Sequence, residues 1–364
     1  MTTATPPASG PVSRIDPEAA YRRPTAPGGR PAPLQLDSNE GVLPPRALLA
    51  QLAGADPELL RRYPEVSTLE AALATRLAVA PERVIVTAGA DEAIDRACRA
   101  FLEPARTALL PDPCFDMFDR CVALAGGTLV RVPWRDGPFP LDGFLERLEA
   151  RTGVVVVVSP NNPTGAVATL AQVRSLAAAA PNALLLIDHV YVEYADEDLT
   201  PGVRDLPNVL VLRTFSKAWG LAGCRVGYAV GSPYVIGVLR AAGGPYSVAA
   251  PSIALALVQL ERGVEPLRTH VARIRVERGQ LATRLAARGL APRPSQANFV
   301  LVECGARAQA IRTALAGRGV VVRDFPGRPG LETSLRITLP GDPADFERLC
   351  EALDAALAAG GLRP

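Results

Sequence analysis

Lysine is almost missing from this sequence. Of its 39 lysine and arginine residues, Lys217 alone is a lysine. Arginine stays protonated and cannot act as an amine nucleophile, whereas a lysine amine can lose its proton and form a Schiff base. We therefore expect Lys217 to perform chemistry that arginine cannot, rather than to be a solvated surface residue.

Cysteine and histidine are also scarce, and the charge is balanced. The six cysteines form no CxxC pair, and the two histidines do not lie at metal-ligand spacing from them, which argues against a disulfide framework or a zinc site. The formal net charge of +2 gives too weak a field to indicate a nucleic acid or an acidic membrane as partner. These features predict reduced thiols, a cytoplasmic protein and neither metal nor nucleic acid.

Signals for secretion or membrane insertion are lacking as well. Residues Met1 to Pro33 are mainly Ala, Pro, Gly, Thr and Arg, without the apolar core of a signal peptide, and we expect a flexible N-terminal arm there. One uncharged run, Ala241 to Leu260, has the length of a membrane span. It contains adjacent glycines and two prolines, which favour a loop leading into a helix. No membrane partner is therefore expected.

What the chain does contain is a regular alternation of apolar strands and helical patterns. The predicted strands are Val84–Thr87, Thr107–Leu110, Thr128–Val132, Val154–Val158, Leu184–Asp188, Val209–Leu212 and Val226–Val230. Strands that are apolar throughout and separated by helices are typical of a mostly parallel sheet covered on both faces. The sequence therefore predicts an α/β fold in which helices sandwich the sheet.

The pattern changes after Pro251. An arginine-rich helical region leads to shorter predicted strands, which are Asn298–Glu303, Val320–Arg323 and Leu335–Thr338. We predict a smaller α+β domain formed by residues 34–50 and 261–364. The large domain would comprise residues 51–260.

Polar residues lie where several predicted strands end, which is where open α/β sheets bind ligands. Gly89-Ala90-Asp91 follows a strand and opens a helix, so its backbone N–H groups could bind a phosphate, although an ordinary turn has the same pattern. Asp188 ends an apolar strand. A carboxylate is costly to bury unless it is paired, so Asp188 either meets a protonated heterocyclic nitrogen or merely caps a loop.

Two hydroxyl groups and a guanidinium accompany the lysine. Thr214, Ser216 and Arg225 flank Lys217, and this set suits a dianionic phosphate. The turn at Gly89 has neither the GxGxxG nor the Walker A pattern, so neither a dinucleotide nor a P-loop is indicated. A lysine amine, phosphate-binding groups and a buried carboxylate at strand ends together predict pyridoxal 5'-phosphate held as a Schiff base.

On these residues the sequence resembles the fold type I pyridoxal-phosphate enzymes, and within them the histidinol-phosphate aminotransferase family. The order and spacing of the matching segments agree over most of the chain. The segments are Asn39-Glu40, Arg62 to Glu65, Gly89 to Glu92, Ser159 to Gly165, Asp188 with Tyr191, Leu212 to Lys217, Leu221 to Gly223 with Arg225, Pro245-Tyr246, Ala297 to Phe299, Val322 to Asp324 and Leu335 to Thr338. The resemblance implies an aspartate aminotransferase-like fold with a seven-stranded sheet, and a homodimer whose subunits share each active site.

The resemblance also implies a role for individual residues. Lys217 would form the Schiff base and move the proton at the substrate Cα, Asp188 would keep the pyridine nitrogen protonated, and Tyr191 would contact the ring hydroxyl. Further cofactor contacts are implied for Gly89, Ala90, Asp91, Phe115, Asn162, Thr214, Ser216 and Arg225, and for Tyr63 reaching in from a second subunit. Substrate contacts are implied for Tyr21, Asn39, Asn162, Arg323 and Arg336. Among these, Arg336 would anchor a carboxylate or phosphate.

Three positions depart from the family pattern. Phe115 stands where a tyrosine usually stacks on the cofactor ring, so one hydroxyl is lost. His189 occupies a position usually held by glutamate, and we expect its ring to point away from Asp188. The segment after Arg336 reads Ile337-Thr338-Leu339-Pro340, where family members usually have a glycine, which predicts an altered neighbourhood of Arg336.

The leading hypothesis is an aminotransferase that uses an L-amino acid or an amino phosphate, with 2-oxoglutarate and glutamate as the second pair. A second hypothesis keeps the cofactor but changes the outcome to decarboxylation, cyclisation or oxidation in a specialised biosynthetic route. A third is a non-catalytic sensor that merely binds the cofactor, against which the complete catalytic set argues.

Overall fold

The computed structural model describes residues 34–359. The strands are β1 Leu34–Leu36, β2 Val84–Thr87, β3 Thr107–Asp112, β4 Thr128–Pro133, β5 Thr152–Val158, β6 Leu184–Asp188, β7 Val209–Thr214, β8 Gly227–Gly231, β9 Ala291–Pro292, β10 Phe299–Glu303, β11 Val320–Asp324 and β12 Ser334–Thr338. The α-helices are α1 Arg46–Ala53, α2 Glu58–Arg61, α3 Ser67–Leu77, α4 Gly89–Phe101, α5 Met117–Ala125, α6 Leu141–Leu145, α7 Leu170–Ala179, α8 Thr200–Val203, α9 Pro233–Ala242, α10 Ala250–Arg262, α11 Val264–Ala287, α12 Ala308–Ala316 and α13 Pro343–Ala359.

The larger sheet has seven strands in the order β2-β8-β7-β6-β5-β3-β4. Neighbouring strands from β7 to β4 are parallel, whereas β8 is antiparallel to both β7 and β2. The predicted mostly parallel seven-stranded α/β sheet is therefore confirmed. The direction of β8 was not predicted, because an apolar run reads the same in either orientation.

Both faces of this sheet are buried. Along β5, Val154, Val156 and Val158 pack into a cluster with helices α4, α5 and α9, while Val155 and Val157 pack into a second cluster with α6, α7 and α8. Successive strand side chains point to opposite faces, so an unbroken valine run serves both layers. Each fully buried valine contributes roughly 2 kcal/mol of hydrophobic stabilisation.

The second sheet has five strands in the order β1-β11-β12-β10-β9. Its first strand comes from the start of the described chain, since Leu34 pairs with Val320 in a parallel register, and the other neighbours are antiparallel. Helices α11, α12 and α13 contribute apolar side chains to one core cluster with this sheet. The residue limits of the two domains remain a prediction.

The uncharged run at residues 241–260 ends α9, passes through a loop and enters α10. This is the loop and helix that its glycines and prolines predicted. Within residues 34–359, no helix combines the length and apolarity needed to cross a membrane. The six cysteines, all in the described part of the chain, are free thiols.

Candidate active site

A cavity of about 610 Å³ lies beyond the carboxyl ends of β5, β6 and β7, against the second sheet. It is the place at which an open α/β sheet is expected to bind its ligand. The predicted site residues that line it are Asn39, Ala90, Asp91, Phe115, Asn162, Asp188, Tyr191, Thr214, Ser216, Lys217, Arg225, Arg323 and Arg336. Residues predicted from distant parts of the sequence thus meet in one place.

Three predicted residues are not among those lining the cavity. Gly89 lies directly behind it, with φ of +76°, and a Cβ there would come within 2.5 Å of Nη2 of Arg225. Tyr63 is 79 % exposed, and its ring stacks on that of Tyr246 with centroids 4.5 Å apart. Tyr21 lies outside the described residues. A role for Tyr63 in the site of a second subunit therefore stays a prediction.

The amine of Lys217 is held over the ring of Tyr191. Its Nζ donates to the carbonyl oxygen of Ser38 at 3.0 Å and lies 5.7 Å from the ring centroid of Tyr191. Removal from water, together with the positive charge of Arg336, lowers the pKa of Lys217 to about 8. A neutral amine is therefore accessible near neutral pH.

The segment carrying Ser38 can approach Lys217 because of Gly41. A Cβ at Gly41 would lie 1.7 Å from the backbone carbonyl oxygen of Lys217, a distance that no other residue type could accept. The N-terminal segment of the described chain is thus pressed onto the lysine loop. This contact brings residues 37–40 to the cavity wall.

Asp188 is a buried carboxylate at the end of β6. Only 3 % of the residue is exposed, and Oδ1 accepts a hydrogen bond from the backbone N–H of Val190 at 3.3 Å. Burial raises the pKa of Asp188 to about 7, and the hydrogen bond from Val190 and the positive charge of Lys217 offset this only in part. A protonated ring nitrogen facing this carboxylate would compensate the cost of burying it.

The phosphate-binding groups predicted around Lys217 also come together. Arg225 donates from Nη1 to Oγ of Ser216 at 3.2 Å and from Nη2 to a carboxylate oxygen of Asp91 at 3.1 Å. Helix α4 begins behind them at Gly89 without a side-chain cap, so the first N–H groups of the helix face the same region. Oγ1 of Thr214 accepts from the backbone N–H of Ser216 at 3.0 Å.

The hydroxyl of Tyr191 is oriented by a short chain of side chains. Nδ2 of Asn39 donates to the Tyr191 hydroxyl at 2.9 Å, and Oγ1 of Thr338 donates to Oδ1 of Asn39 at 2.8 Å. Burial raises the pKa of Tyr191 to about 12, so this phenol stays protonated and can donate into the cavity. Tyr191 is therefore suited to hydrogen-bond a ring oxygen.

Arg336 crosses the cavity from β12. Its Nη1 donates to Oδ1 of Asn162 at 2.5 Å and its Nη2 to the carbonyl oxygen of Asp37 at 2.6 Å. In the strand register Arg336 stands directly opposite Arg323 of β11, and both line the cavity. Two guanidinium groups thus share one face of the second sheet, an arrangement that an anion would stabilise.

His189 is directed away from the cavity, as expected. Its Nδ1 donates to the carbonyl oxygen of Ser159 at 2.5 Å, and its Nε2 accepts from the backbone N–H of Leu199 at 3.2 Å. These two contacts tie the end of β5 to the loop before α8. The histidine that stands in place of glutamate at this position therefore has a structural role.

Several cavity residues were not predicted. They include Asp37, Ser38, Glu40, Arg120, Phe325 and Arg328. Arg120 follows Phe115 by little more than one helical turn, so a helix prediction combined with Phe115 could have found it. Arg328 lies in the turn between β11 and β12, where the sequence carries no signal that distinguishes it from a solvated loop arginine.

Comparison with known proteins identifies this constellation. Residues 33–353 match the family model of the class I and II aminotransferases. The chain belongs to this family. It is an enzyme that uses pyridoxal 5'-phosphate, and the amine, buried carboxylate and phosphate-binding groups described above fit that cofactor. The reaction class left open by the sequence is therefore transamination.

The resemblance to histidinol-phosphate aminotransferases is confirmed. This aminotransferase is 39 % identical to the histidinol-phosphate aminotransferase of Roseiflexus castenholzii over 336 residues, which cover 88 % of each chain. It is 35 % identical to an aromatic amino acid aminotransferase of Mycobacteroides abscessus, over 91 % of this chain and 96 % of that one. A crystal structure of histidinol-phosphate aminotransferase from Sinorhizobium meliloti in complex with pyridoxal-5'-phosphate is also similar. It superposes with a TM-score of 0.85 at 28 % identity, over 96 % of this chain and 99 % of that one.

Proposed function

We propose that this aminotransferase moves an amino group between an amino phosphate of the histidinol phosphate type and 2-oxoglutarate. The observation that carries the proposal is the direct opposition of Arg323 and Arg336 in the cavity that also contains Lys217. Paired guanidinium groups bind a dianionic phosphate with several charge-assisted hydrogen bonds. The identity with a relative named histidinol-phosphate aminotransferase supports the same substrate.

The chain supplies positioning and proton transfer. The cofactor, when bound, supplies an electron sink for the negative charge that develops at the substrate Cα. Lys217, with its pKa lowered to about 8, can accept and return the proton at that carbon. Asp188 would hold the proton on the ring nitrogen, and Tyr191 with Asn162 would orient the ring oxygen.

The phosphate of the cofactor would bind where α4 begins. Its partners would be the N–H groups of Ala90 and Asp91, the hydroxyls of Thr214 and Ser216, and the guanidinium of Arg225. Arg225 donates to the carboxylate of Asp91 in this structure and would share its remaining donors with the phosphate. Phe115, on the rim, would cover one face of the ring.

Transamination of aromatic amino acids is a second candidate. Ile94, Phe115, Met117 and Phe325 give the cavity an apolar portion that suits an aromatic side chain. A relative of 35 % identity is named an aromatic amino acid aminotransferase. This candidate requires no phosphate between Arg323 and Arg336.

An amino-donor panel separates the two candidates. The holoenzyme is mixed with histidinol phosphate, histidinol, phenylalanine, tyrosine or glutamate, and the visible band of the cofactor is followed. We expect kcat/KM for histidinol phosphate to exceed that for histidinol by about 100-fold, because the phosphate meets two guanidinium groups. Addition of 2-oxoglutarate should then restore the band.

Matched variants test whether Arg323 and Arg336 bind the phosphate of the substrate. Arg323→Gln should reduce the preference for histidinol phosphate over histidinol by about tenfold, whereas Arg318→Gln, an exposed arginine after α12, should leave it unchanged. If phenylalanine reacts fast and histidinol phosphate does not react, the enzyme is an aromatic aminotransferase. If no donor changes the band, neither substrate assignment holds.

We further propose that the enzyme works as a homodimer in which Tyr63 enters the site of the other subunit. Tyr63 is exposed and stacks on Tyr246, and Leu43 and Leu60 are 89 % and 78 % exposed in the single chain. Exposed apolar and aromatic side chains of this size are suited to burial against a second subunit.

Hybrid dimers test this arrangement. Chains carrying Lys217→Arg and chains carrying Tyr63→Ala are each expected to have low activity. Mixing them creates one site with Lys217 from one chain and Tyr63 from the other, so activity should rise above that of either parent. A monomer by light scattering, or no gain on mixing, would refute the shared site.

A further inference from the structure

A single arginine connects the second sheet to the rim of the active-site cavity. Arg328 lies in the turn between β11 and β12, and its side chain is only 19 % exposed. Its Nη2 donates to the carbonyl oxygen of Cys114 at 2.8 Å, and its Nη1 forms an ion pair with Oδ1 of Asp116. Cys114 and Asp116 are the two neighbours of Phe115, so one planar guanidinium holds the backbone carbonyl on one side of that aromatic residue and the side-chain carboxylate on the other.

The turn that carries Arg328 is itself well ordered by local contacts. The backbone N–H of Arg328 donates to the carbonyl oxygen of Phe325 at 3.2 Å, and that of Leu331 donates to the carbonyl oxygen of Arg328 at 3.0 Å. Leu331 is buried, and a carboxylate oxygen of Glu332 accepts from its backbone N–H at 3.1 Å. Arg328 therefore projects from a defined turn.

The carboxylate of Asp116 takes part in the contact with Arg328 and not in a cap of helix α5. Asp116 precedes helix α5 at the N-cap position, where aspartate commonly accepts a hydrogen bond from the first turn. Here the side chain makes no such cap and pairs with Arg328 instead. The Asp116 carboxylate thus joins the start of helix α5 to the turn between β11 and β12.

We propose that Arg328 is a positioning residue that fixes Phe115 over the cofactor ring and couples this placement to the second sheet. The inference rests on the proposed position of Phe115 above the ring. A phenylalanine has no hydroxyl with which to anchor its ring, so its placement depends on how its neighbours Cys114 and Asp116 are held. We call the contacts of Arg328 with Cys114 and Asp116 the clamp. Because β11 and β12 also carry Arg323 and Arg336, the clamp links these two anion-binding arginines to Phe115.

The test uses apoenzyme and holoenzyme of Arg328→Gln, Arg328→Lys and the control Arg318→Gln. The dissociation constant of pyridoxal 5'-phosphate and the induced circular dichroism of its visible band report how the ring is held. We expect Arg328→Gln to weaken cofactor binding by about tenfold and to reduce the dichroism, because the variant loses the charged guanidinium that contacts both Cys114 and Asp116. Arg328→Lys should recover part of both, through the ion pair with Asp116, and Arg318→Gln should change neither by more than about twofold.

Two further measurements separate positioning from general stabilisation. The thermal midpoint of the apoenzyme should be nearly equal in Arg328→Gln and the wild type. The double variant Arg328→Gln with Asp116→Asn should bind the cofactor no more weakly than Arg328→Gln alone. If Arg328→Gln lowers the apoenzyme midpoint but leaves the dichroism intact, the residue is only structural and the clamp is refuted. Phe115→Leu identifies the other failure: an unchanged dichroism in that variant would mean that Phe115 does not cover the ring, which overturns the proposed placement and the clamp together.

Discussion

Two sets of titratable groups are removed from water, and they differ in what surrounds them. The first set is Lys217 with Asp188, and the second is His270 with Glu277. The first set lines the cavity of about 610 Å³. The second lies on α11 and packs against the protein, where His270 Nε2 contacts the hydroxyl of Tyr194 at 3.3 Å and Glu277 accepts from the backbone N–H of Gly341 at 2.9 Å. Neither of these two residues lines that cavity.

Burial shifts the pKa values in both places to a similar extent. It lowers the pKa of Lys217 to about 8 and raises that of Asp188 to about 7, and it lowers the pKa of His270 to about 4 and raises that of Glu277 to about 7. A shifted pKa therefore does not by itself identify a catalytic group. What distinguishes Lys217 and Asp188 is the space beside them, in which a reactant can bind.

The largest expected effect is at Lys217. Lys217→Arg keeps the charge but removes the amine that can be deprotonated, so kcat should fall by at least about a thousandfold. Borohydride reduction followed by mass spectrometry should find no cofactor attached to the variant, while far-ultraviolet circular dichroism matches that of the wild type. A borohydride-fixed cofactor in the variant would contradict the assignment.

A smaller but still catalytic effect is expected at Asp188. Asp188→Asn replaces the carboxylate by a neutral amide of the same shape, which cannot stabilise a protonated ring nitrogen, and kcat should fall by about 100-fold. The apoenzyme should lose no stability at pH 8, because the burial cost of the carboxylate disappears. Asp205→Asn, at the surface, is the control. Equal activity in the two variants would place Asp188 with Glu277 among the structural groups.

The smallest effect on catalysis is expected at Glu277. Glu277→Gln should leave kcat within about twofold of the wild type and change only the pH dependence of stability. The folded-state pKa of about 7 exceeds the ordinary value of 4.5, so the folded protein binds this proton more tightly. The associated stability is complete below pH 4.5 and is lost as pH rises through 7.

The measurement is the free energy of unfolding at pH 5 and pH 8, from denaturant titration. The wild type should lose more stability than Glu277→Gln between these values, by about 1–3 kcal/mol. Subtracting the two proteins isolates Glu277 from His270, whose lowered pKa acts in the opposite direction by removing stability as pH falls from 6.5 to 4. A fall in kcat of Glu277→Gln would contradict the assignment of Glu277 to structure and of Lys217 and Asp188 to catalysis on the basis of the cavity.

The sequence alone determined the strands and the principal chemistry. Apolar runs such as Val154–Val158 predict buried strands because the pattern is local, and the actual strand Thr152–Val158 extends it by only two residues. Lys217 was found from composition, and Asp188 from a charge at the end of an apolar strand. Each of these signals lies within a few consecutive residues, where side-chain chemistry alone constrains the chain.

Only the tertiary structure decided which residues face one another. The antiparallel direction of β8, the opposition of Arg323 to Arg336, and the contact of Arg328 with Cys114 and Asp116 join segments that are far apart in the chain. Apolar strands carry no mark of their direction, and an arginine in a loop has the same sequence signature whether it is solvated or clamped. Packing between distant segments supplies the missing information, because only contacts made in the folded chain fix which of them meet.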